Sequence, residues 1–453
     1  MAYNDLSVVI LAAGRGRRMC SPLPKPLQMM AGQPIIRHIL TAVIPLQPQQ
    51  IIVVYSGDKG LFQQHVPDEH VVWAEQTSAK GTGHAAACAL PLIRGKRTLI
   101  LCGDAPLITT AHLASLLTET EGGLGLISAH LTNPFGFGRI IRQADNSVVN
   151  IVEEKDASPR EQAITEVSSG IITAPTDFLH TALKQLKNDN SQQEYYLPQI
   201  IPQWQQQGKP VQAVCINDSD SIRGINTFSE LATLEALYQQ RVANQLMQQG
   251  VRITQPASFN CHANVQAEAG VQIANNVTLQ GNVTLGAGCE IGPNCVLTDC
   301  VIEANATIQA NSVVTQSTVK SFASVGPFAY IRPGCTIDTH AKIGAFVEAK
   351  NTHLGPGSKA NHLSYLGDAT IGSQVNIGAG TITCNYDGQT KHQTHIQDGA
   401  FVGSSCQLIA PITIEAGAYI GAGSCITKTA PSQKLTVARA RQITVAKPKE
   451  KTE

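Results

Sequence analysis

The sequence predicts two architectures in one chain: an α/β nucleotidyltransferase-like domain on a doubly wound, Rossmann-like sheet, then a parallel β-helix. Three observations predict them. Before about residue 225, short continuous apolar runs alternate with helix-length segments. Beyond about residue 250 the texture changes to Gly, Asn, Ala and Val with few aromatic residues. From Val265 onward one small residue set returns at every sixth position: Val271, Val277, Val283, Cys289, Cys295, Val301, Thr307, Val313, Val319, Val325, Ile331, Ile337 and Ile343. The pattern resumes at Ile396, Val402, Leu408, Ile414, Ile420 and Ile426. A six-residue period fits neither a helix turn nor an alternating strand, but it fits a coil of three flat faces that turns a corner every six residues. The irregular stretch between the two runs holds most histidines and polar pairs of this half, so function is expected where the period breaks.

Composition excludes several classes. A chain of 453 residues is too long for one ordinary core. Lys plus Arg equals Asp plus Glu at 33 each, which gives no electrostatic reason for a nucleic-acid or membrane-surface partner. The 12 cysteines contain no Cys-x-x-Cys pair, and no basic segment with an apolar export core opens the chain, so a reduced cytoplasm is expected. Cys289 and Cys295 stand at repeat corners in place of Val, as small buried hydrophobes. No run approaches the roughly 20 apolar residues of a membrane span.

In the first half, Ser7-Val8-Val9-Ile10-Leu11 reads as a strand covered on both faces. Leu11-Ala12-Ala13-Gly14-Arg15-Gly16-Arg17-Arg18-Met19 leaves it as a glycine-rich turn. Such a turn lets backbone N–H groups approach an anion, and the arginines with Lys25 can neutralise a polyphosphate. It lacks the third glycine of a dinucleotide fingerprint and the Gly-Lys-Ser/Thr ending of a P-loop. An ordinary turn with solvated arginines fits the same residues. Further apolar runs at 51–54 and 98–101 continue the alternation, the second ending in Cys102-Gly103-Asp104-Ala105-Pro106-Leu107. Ligands of such sheets bind beyond the carboxyl ends of the strands, where Asp104 could hold a magnesium ion against phosphates or simply cap a helix.

These residues resemble the sugar-nucleotide pyrophosphorylases. The resemblance lies in Leu-Ala-Ala-Gly-x-Gly with Lys25, Gly81-Thr82-Gly83-His84-Ala85, Gly103-Asp104-x-Pro106-Leu107 and Gly136-Phe137-Gly138-Arg139-Ile140. It extends to Ile151-Val152-Glu153, Glu194-Tyr195-Tyr196 and Gly224-Ile225-Asn226. Joined to a hexapeptide domain, the pattern is similar over nearly the whole chain to the bifunctional N-acetylglucosamine-1-phosphate uridyltransferases and glucosamine-1-phosphate acetyltransferases. The resemblance implies that Arg18 and Lys25 stabilise the triphosphate and its transition state. Asp104 and Asn226 would hold Mg2+. Leu11, Ala12, Ala13, Gly14, Gln76, Gly81 and Thr82 would line the nucleotide site, and Gly138, Glu153 and Ser168 would face the sugar phosphate. The sugar phosphate would attack the α-phosphorus of UTP and release pyrophosphate, with cations neutralising the charge.

Three positions depart from the family. A Gln-x-Glu-Gln segment usually stands one residue before Gly-Thr-Gly; here Trp73-Ala74-Glu75-Gln76 is followed by Thr77-Ser78-Ala79-Lys80. Gln76 could move into the missing base contact, Trp73 could stack on the base, or the loop is simply lengthened, which we favour over altered specificity. Ser168 replaces a usual Asn and Arg17 a usual Thr.

The domain boundaries read as 1–226, a helical linker at 227–250 and 251–453. Phe228, Leu231, Leu234, Leu237, Val242 and Leu246 recur near a helical turn, and Gly250 would end the helix. A connector of about 20 residues spans roughly 30 Å. A β-helix alone can be an inert scaffold. The interruptions at Lys359–Asp368 and Asn376–Gly388 match the acetyltransferase half of the same family. Acetyl transfer to a sugar amine needs a base of near-neutral pKa, and His362 is the candidate. By resemblance, Arg332 and Lys350 meet the sugar phosphate, Tyr365 and Asn376 the sugar, and Glu348 orients His362. Ala379, Asn385, Tyr386, Ser404 and Ala422 would line the acetyl-coenzyme A site, with Arg439 on the coenzyme's phosphates. The family's Arg-x-Pro appears as Arg439-Ala440-Arg441. Lys391 is a further phosphate candidate or a solvated lysine. His392 and His395 lack a third ligand at any recognisable spacing, which argues against a catalytic zinc.

The expected enzyme acetylates glucosamine-1-phosphate and then couples the product to UTP, feeding cell-wall and lipopolysaccharide synthesis. The resemblance also implies a left-handed β-helix and a homotrimer whose acetyl-transfer site draws on neighbouring subunits. Two rivals stay open at this point: a nucleotidyltransferase of another base or sugar with a merely oligomerising β-helix, and a binding scaffold that uses nucleotide as a structural ligand.

Overall fold

A computed structural model describes residues 3–14, 16–66 and 71–447, without the side chains of Arg17 and Ala263; Arg15 of the glycine-rich turn lies outside the described residues. The chain divides after Tyr238 into two compact units.

Each apolar run of the first half becomes a strand of one sheet. These are β1 (Leu6–Leu11), β2 (Gln50–Tyr55), β3 (Val71–Glu75) and β4 (Arg97–Cys102). Then come β5 (Leu124–His130), β6 (Arg139–Arg142), β7 (Val148–Val152), β8 (Glu166–Pro175) and β9 (Val211–Cys215). The main order is β9-β5-β8-β4-β1-β2-β3, with β6 and β7 attached beside β8. Side chains alternate across β1, so the sheet has two cores. Leu6, Val8 and Ile10 pack with α1 (Ile35–Val43) and with Leu113 and Leu116 on one face. Val9 and Ile100 pack with Ala85, Ala86 and Ala89 of α2 (Thr82–Ala89) on the other. This is the doubly wound arrangement, with one difference: β8 lies between β4 and β5 and runs antiparallel to both. Its register shifts between Ser168 and Ile172, where Gly170 has φ 73°. A bulge of this kind re-aims side chains, and here it sits beside the cleft described below.

A long helix, α3 (Phe228–Gln248), follows. Its start is a reciprocal cap: the Glu230 backbone N–H donates to Thr227 Oγ1 at 3.2 Å, and the Glu230 carboxylate accepts from the N–H groups of Asn226 at 2.6 Å and Thr227 at 3.0 Å. Leu231 and Leu234 belong to the core of the first unit, Ala243 and Leu246 to that of the second. Phe228, read from the sequence as part of one apolar stripe, is 52% exposed. Gly250 follows the helix at φ 92°, in the left-handed conformation that ends helices.

The second unit is a left-handed parallel β-helix. Strand partners lie 17 or 18 residues apart, as in Glu290↔Thr307 and Tyr330↔Glu348, so three faces make one coil. One coil is longer: Ile382 pairs with Gln407, and the extra residues form the loop around Tyr386–Lys391. Seventeen is not three sixes, and this corrects the ladder read from the sequence. Each face turns two positions inward. A smaller residue (Val271, Val277, Cys289, Cys295, Cys300, Ala306) precedes by two a larger aliphatic one (Ile273, Leu279, Ile291, Leu297, Ile302, Ile308). The six-residue count follows the smaller set to Cys295, loses step where the face shortens by one, and rejoins on the larger set at Val319. Val301 is therefore 39% exposed, and Thr307 and Val313 lie off the core.

The corners explain the composition. Successive coils pass through left-handed backbone at Asn276, Asn294, Asn311, Phe328, Phe346, Leu363, Gly380, Ser405 and Gly423 along one edge. Gly and Asn reach this region at low cost, hence their enrichment. Asn276 donates to Asn294 and Asn294 to Asn311, each at 3.0 Å. Phe328, Phe346 and Leu363 break the rule. They are bulky, sit at φ 55°, 59° and 49°, and are 50%, 60% and 64% exposed.

Candidate functional site

The carboxyl ends of β1 and β4 open into two clefts that share Leu11, Thr82, Cys102 and Asp104. The smaller, of about 480 Å³, is lined by Ala13, Gly14, Lys25, Gln76, Gly81 and Glu194. The larger, of about 850 Å³, is lined by Arg18, Gly138, Glu153, Ser168, Arg223 and Asn226. The residues expected at a nucleotide and at a sugar phosphate thus fall into separate clefts that meet at Asp104. Two expectations need correction. Ala12 is buried, its N–H committed to Val54 O at 2.8 Å, and lines neither cleft. Arg18 lines the larger cleft, not the one that holds Lys25.

At the junction the Lys25 ammonium forms an ion pair with Asp104 and donates to Asn226 Oδ1 at 2.9 Å. Three distant segments are needed for this. Gly16, at φ 60°, lets the turn fold against Lys25, whose Cβ would lie 2.9 Å from any Cβ added there. The Ile225 N–H donates to Asp104 O at 3.0 Å, and Glu230 holds the Asn226 backbone. Gly81, at φ 98°, presses against Tyr195 O, and Gly83 N–H donates to the same carbonyl at 2.7 Å. The Gly-Thr-Gly turn is thereby pinned to Glu194-Tyr195-Tyr196. The oxygens of Asp104 and Asn226 converge on one cation, Lys25, and a set of two protein oxygens suits Mg2+, which is usually held by one or two side chains plus substrate phosphates.

In the larger cleft Ser168 N–H donates to Gly138 O at 2.8 Å. Burial, and then the charges of Asp156 and Glu194, push the Glu153 carboxyl above its ordinary pKa. Burial pushes the Cys102 thiol up to about 12, so it lines the junction as a neutral group. Trp73 is in neither cleft; its ring packs on Tyr55 and Phe62 with centroids 6.0 Å away in each case.

In the β-helix a second constellation lies around the lengthened coil. Gly380 N–H donates to His362 O, Ser405 N–H to Ala379 O, Gly423 N–H to Ser404 O, and Arg439 Nη1 to Ala422 O. His362, Ala379, Ser404, Ala422 and Arg439 therefore follow one edge, one coil apart. On the adjoining face Glu348 pairs with Tyr365, and Lys350 with Gly367, in neighbouring strands. Arg332 Nη1 donates to Glu348 Oε1 at 2.8 Å. That carboxylate is engaged by Arg332, and no hydrogen bond joins it to His362 among the described residues, contrary to the orienting role expected. Lys391 beside Lys350, first through side-chain hydrogen bonding and then through charge, with Arg332 adding repulsion, holds the Lys350 pKa below its ordinary value. Crowded cations of this kind make an anion site. Asn385 Nδ2 donates to Asp368 at 2.5 Å, and Tyr386 is bridged to Lys391 across the loop. Asn376 stands on the next face, paired with Lys359 and Phe401. His392 is held at 2.7 Å by Asp387 as a loop staple.

Residues 8–144 match the MobA-like NTP transferase domain, and residues 264–299 match six repeats of the bacterial transferase hexapeptide. The chain is 46% identical over 444 residues to the bifunctional protein GlmU of Methylobacillus flagellatus, covering 98% of this chain and 96% of that relative. It is 46% identical over 443 residues to that of Alcanivorax borkumensis, covering 98% of each. The chain belongs to the bifunctional GlmU family. Its two activities are uridyl transfer and acetyl transfer, as the sequence motifs implied, with the nucleotidyltransferase domain first and the hexapeptide domain second. No helix among the described residues is long and apolar enough to cross a membrane.

Sequence reading passed over Cys102 and Glu194 as cleft residues and Glu230 as the support of Asn226. Cys102 was legible as the residue before Gly103-Asp104 at a strand end, and Thr227-x-x-Glu230 as a helix-start signature.

Proposed function

We propose that UTP occupies the smaller cleft and N-acetylglucosamine-1-phosphate the larger, so that the attacking phosphate oxygen and the α-phosphorus meet at Lys25 and Asp104. The single observation that carries this reading is the sharing of Asp104 by two clefts with different linings. Mg2+ bound through Asp104 and Asn226 supplies charge neutralisation for the triphosphate. Lys25 neutralises developing charge on the leaving pyrophosphate, Arg18 does so from the sugar side, and Gly81 and Thr82 hold the nucleotide. Glu153 and Ser168 accept or donate to sugar hydroxyls near Gly138. With full-length protein, pyrophosphate release from UTP and N-acetylglucosamine-1-phosphate is expected to require Mg2+ and to stop with excess chelator. Release undiminished by chelator would remove Asp104 and Asn226 from this role.

The raised Glu153 pKa gives a second expectation. A carboxyl with a raised folded-state pKa holds its proton more tightly when folded, so its ionisation opposes folding as pH rises from the ordinary glutamate value through the raised one. Glu153→Gln removes that opposition, so the gain in melting temperature should be larger at pH 8 than at pH 4. The same variant loses a charged hydrogen-bond acceptor, and KM for the sugar phosphate should rise about tenfold. A pH-independent change in melting temperature would contradict the burial argument.

For the second site we infer that His362 takes the proton from the sugar amine as it attacks the thioester. Arg332, Lys350 and Lys391 meet the sugar phosphate, Tyr365 and Asn376 the sugar, and Ala379, Asn385, Tyr386, Ser404, Ala422 and Arg439 acetyl-coenzyme A. A homotrimer completes this site. It is supported by the ridge of Phe328, Phe346 and Leu363 beside His362, exposed apolar side chains at costly left-handed positions.

A further inference from the structure

The base-reading glutamine of the family is replaced by Trp73, whose ring is committed to Tyr55 and Phe62. Gln76 is 4% exposed and lines the smaller cleft. Its backbone N–H donates to Tyr55 O at 2.8 Å, which fixes the residue at the end of β3. Its side-chain Nε2 lies 3.3 Å from Gly81 O and 2.9 Å from His84 Nδ1. A carbonyl oxygen only accepts, so Gly81 fixes which end of the amide is the nitrogen. The second Nε2 hydrogen then needs an acceptor, and Nδ1 of a neutral His84 protonated on Nε2 is that acceptor. Burial, and then the Lys80 charge, lower the His84 pKa and favour the neutral ring. Tyr195 lies beside the imidazole with ring centroids 6.4 Å apart. Both amide hydrogens are thus taken, and Oε1 is the group Gln76 can offer a nucleotide.

We propose that His84 is a positioning residue that locks the Gln76 amide with its oxygen toward the base, making Gln76 the uracil reader of this chain. Uracil presents an N3–H donor, whereas cytosine N3 is an acceptor that an amide oxygen repels. The lengthened Thr77–Lys80 segment is then what allows a glutamine from the strand end to replace the missing contact. This inference rests on the uridyl-transfer reading of the smaller cleft.

The test is kcat/KM for UTP and for CTP, with N-acetylglucosamine-1-phosphate as acceptor, on the full-length protein. The wild type should prefer UTP. His84→Ala frees the amide to turn, and the UTP:CTP ratio should fall about tenfold, the order expected for one misdirected hydrogen bond, while kcat with UTP changes little. His84→Asn, whose Oδ1 restores an acceptor near Nδ1, should keep the ratio, and Gln76→Ala should lose it without touching His84. An unchanged ratio in either alanine variant, with a UTP-preferring wild type, overturns the inference and leaves uridyl transfer standing. A wild type that prefers CTP overturns the uridyl reading itself.

Discussion

Replacing His362 with alanine should lower acetyl transfer by about 10²- to 10⁴-fold, the usual contribution of a general base, and leave pyrophosphate release unchanged. His362 stands at a corner of the β-helix, exposed, on the same edge as Ala379, Ser404 and Ala422. Its imidazole packs into no core, so the substitution costs little stability and the loss reads as chemistry. Its carbonyl, which Gly380 N–H and Ser364 Oγ engage, is untouched by the change. The measurement is thiol release from acetyl-coenzyme A with glucosamine-1-phosphate, followed by the melting temperature of the variant. Retained acetyl transfer in a folded variant would mean that the base lies elsewhere.

The complementary change, Asp104→Asn, should lower uridyl transfer by about 10²- to 10³-fold, as removal of one preorganised electrostatic group does elsewhere, and raise the Mg2+ concentration needed for half-maximal rate. Shape is kept and one oxygen remains. What goes is the negative charge that draws Lys25 and the metal to the same point. Because Lys25 is nearly buried and keeps only Asn226 Oδ1 as partner, some loss of melting temperature is expected as well. Acetyl transfer should be unaffected. A near-normal rate with unaltered Mg2+ dependence would place the metal at other groups.

Much of this molecule was legible in advance where the signal was periodic or glycine-rich. Apolar runs at Ser7–Leu11 and Thr98–Leu101 became the strands that end at both clefts, and the hexapeptide repeat became the β-helix, because burial on a fixed period writes itself into the sequence. The β-helix register was not legible. A single residue lost at a corner moves the aliphatic position by one, and Val, Cys and Thr occur both inside and outside, so only the structure separates Cys300 and Ile302 from Val301. The antiparallel β8 was hidden for another reason. Its run is broken by Ser168, Ser169 and Gly170, and the bulge that aims Ser168 into the cleft is what spoils the pattern. At the site, motif residues such as Asp104, Lys25 and Asn226 were visible singly. Their convergence depends on Gly224-Ile225-Asn226 crossing more than a hundred residues of chain to meet Asp104. Support contacts such as Glu230 to Asn226, or Gln76 to His84, involve common polar residues whose meaning appears only in place.

The central claim is that one chain carries two chemically separate transfer centres, one at Asp104 and one at His362. The most direct measurement assays both half-reactions side by side in wild type, His362→Ala and Asp104→Asn. Each variant should lose one reaction and keep the other, and an equal mixture of the two should convert glucosamine-1-phosphate, acetyl-coenzyme A and UTP to UDP-N-acetylglucosamine through the released acetylated intermediate. Loss of both reactions in a folded single variant would contradict two separate centres.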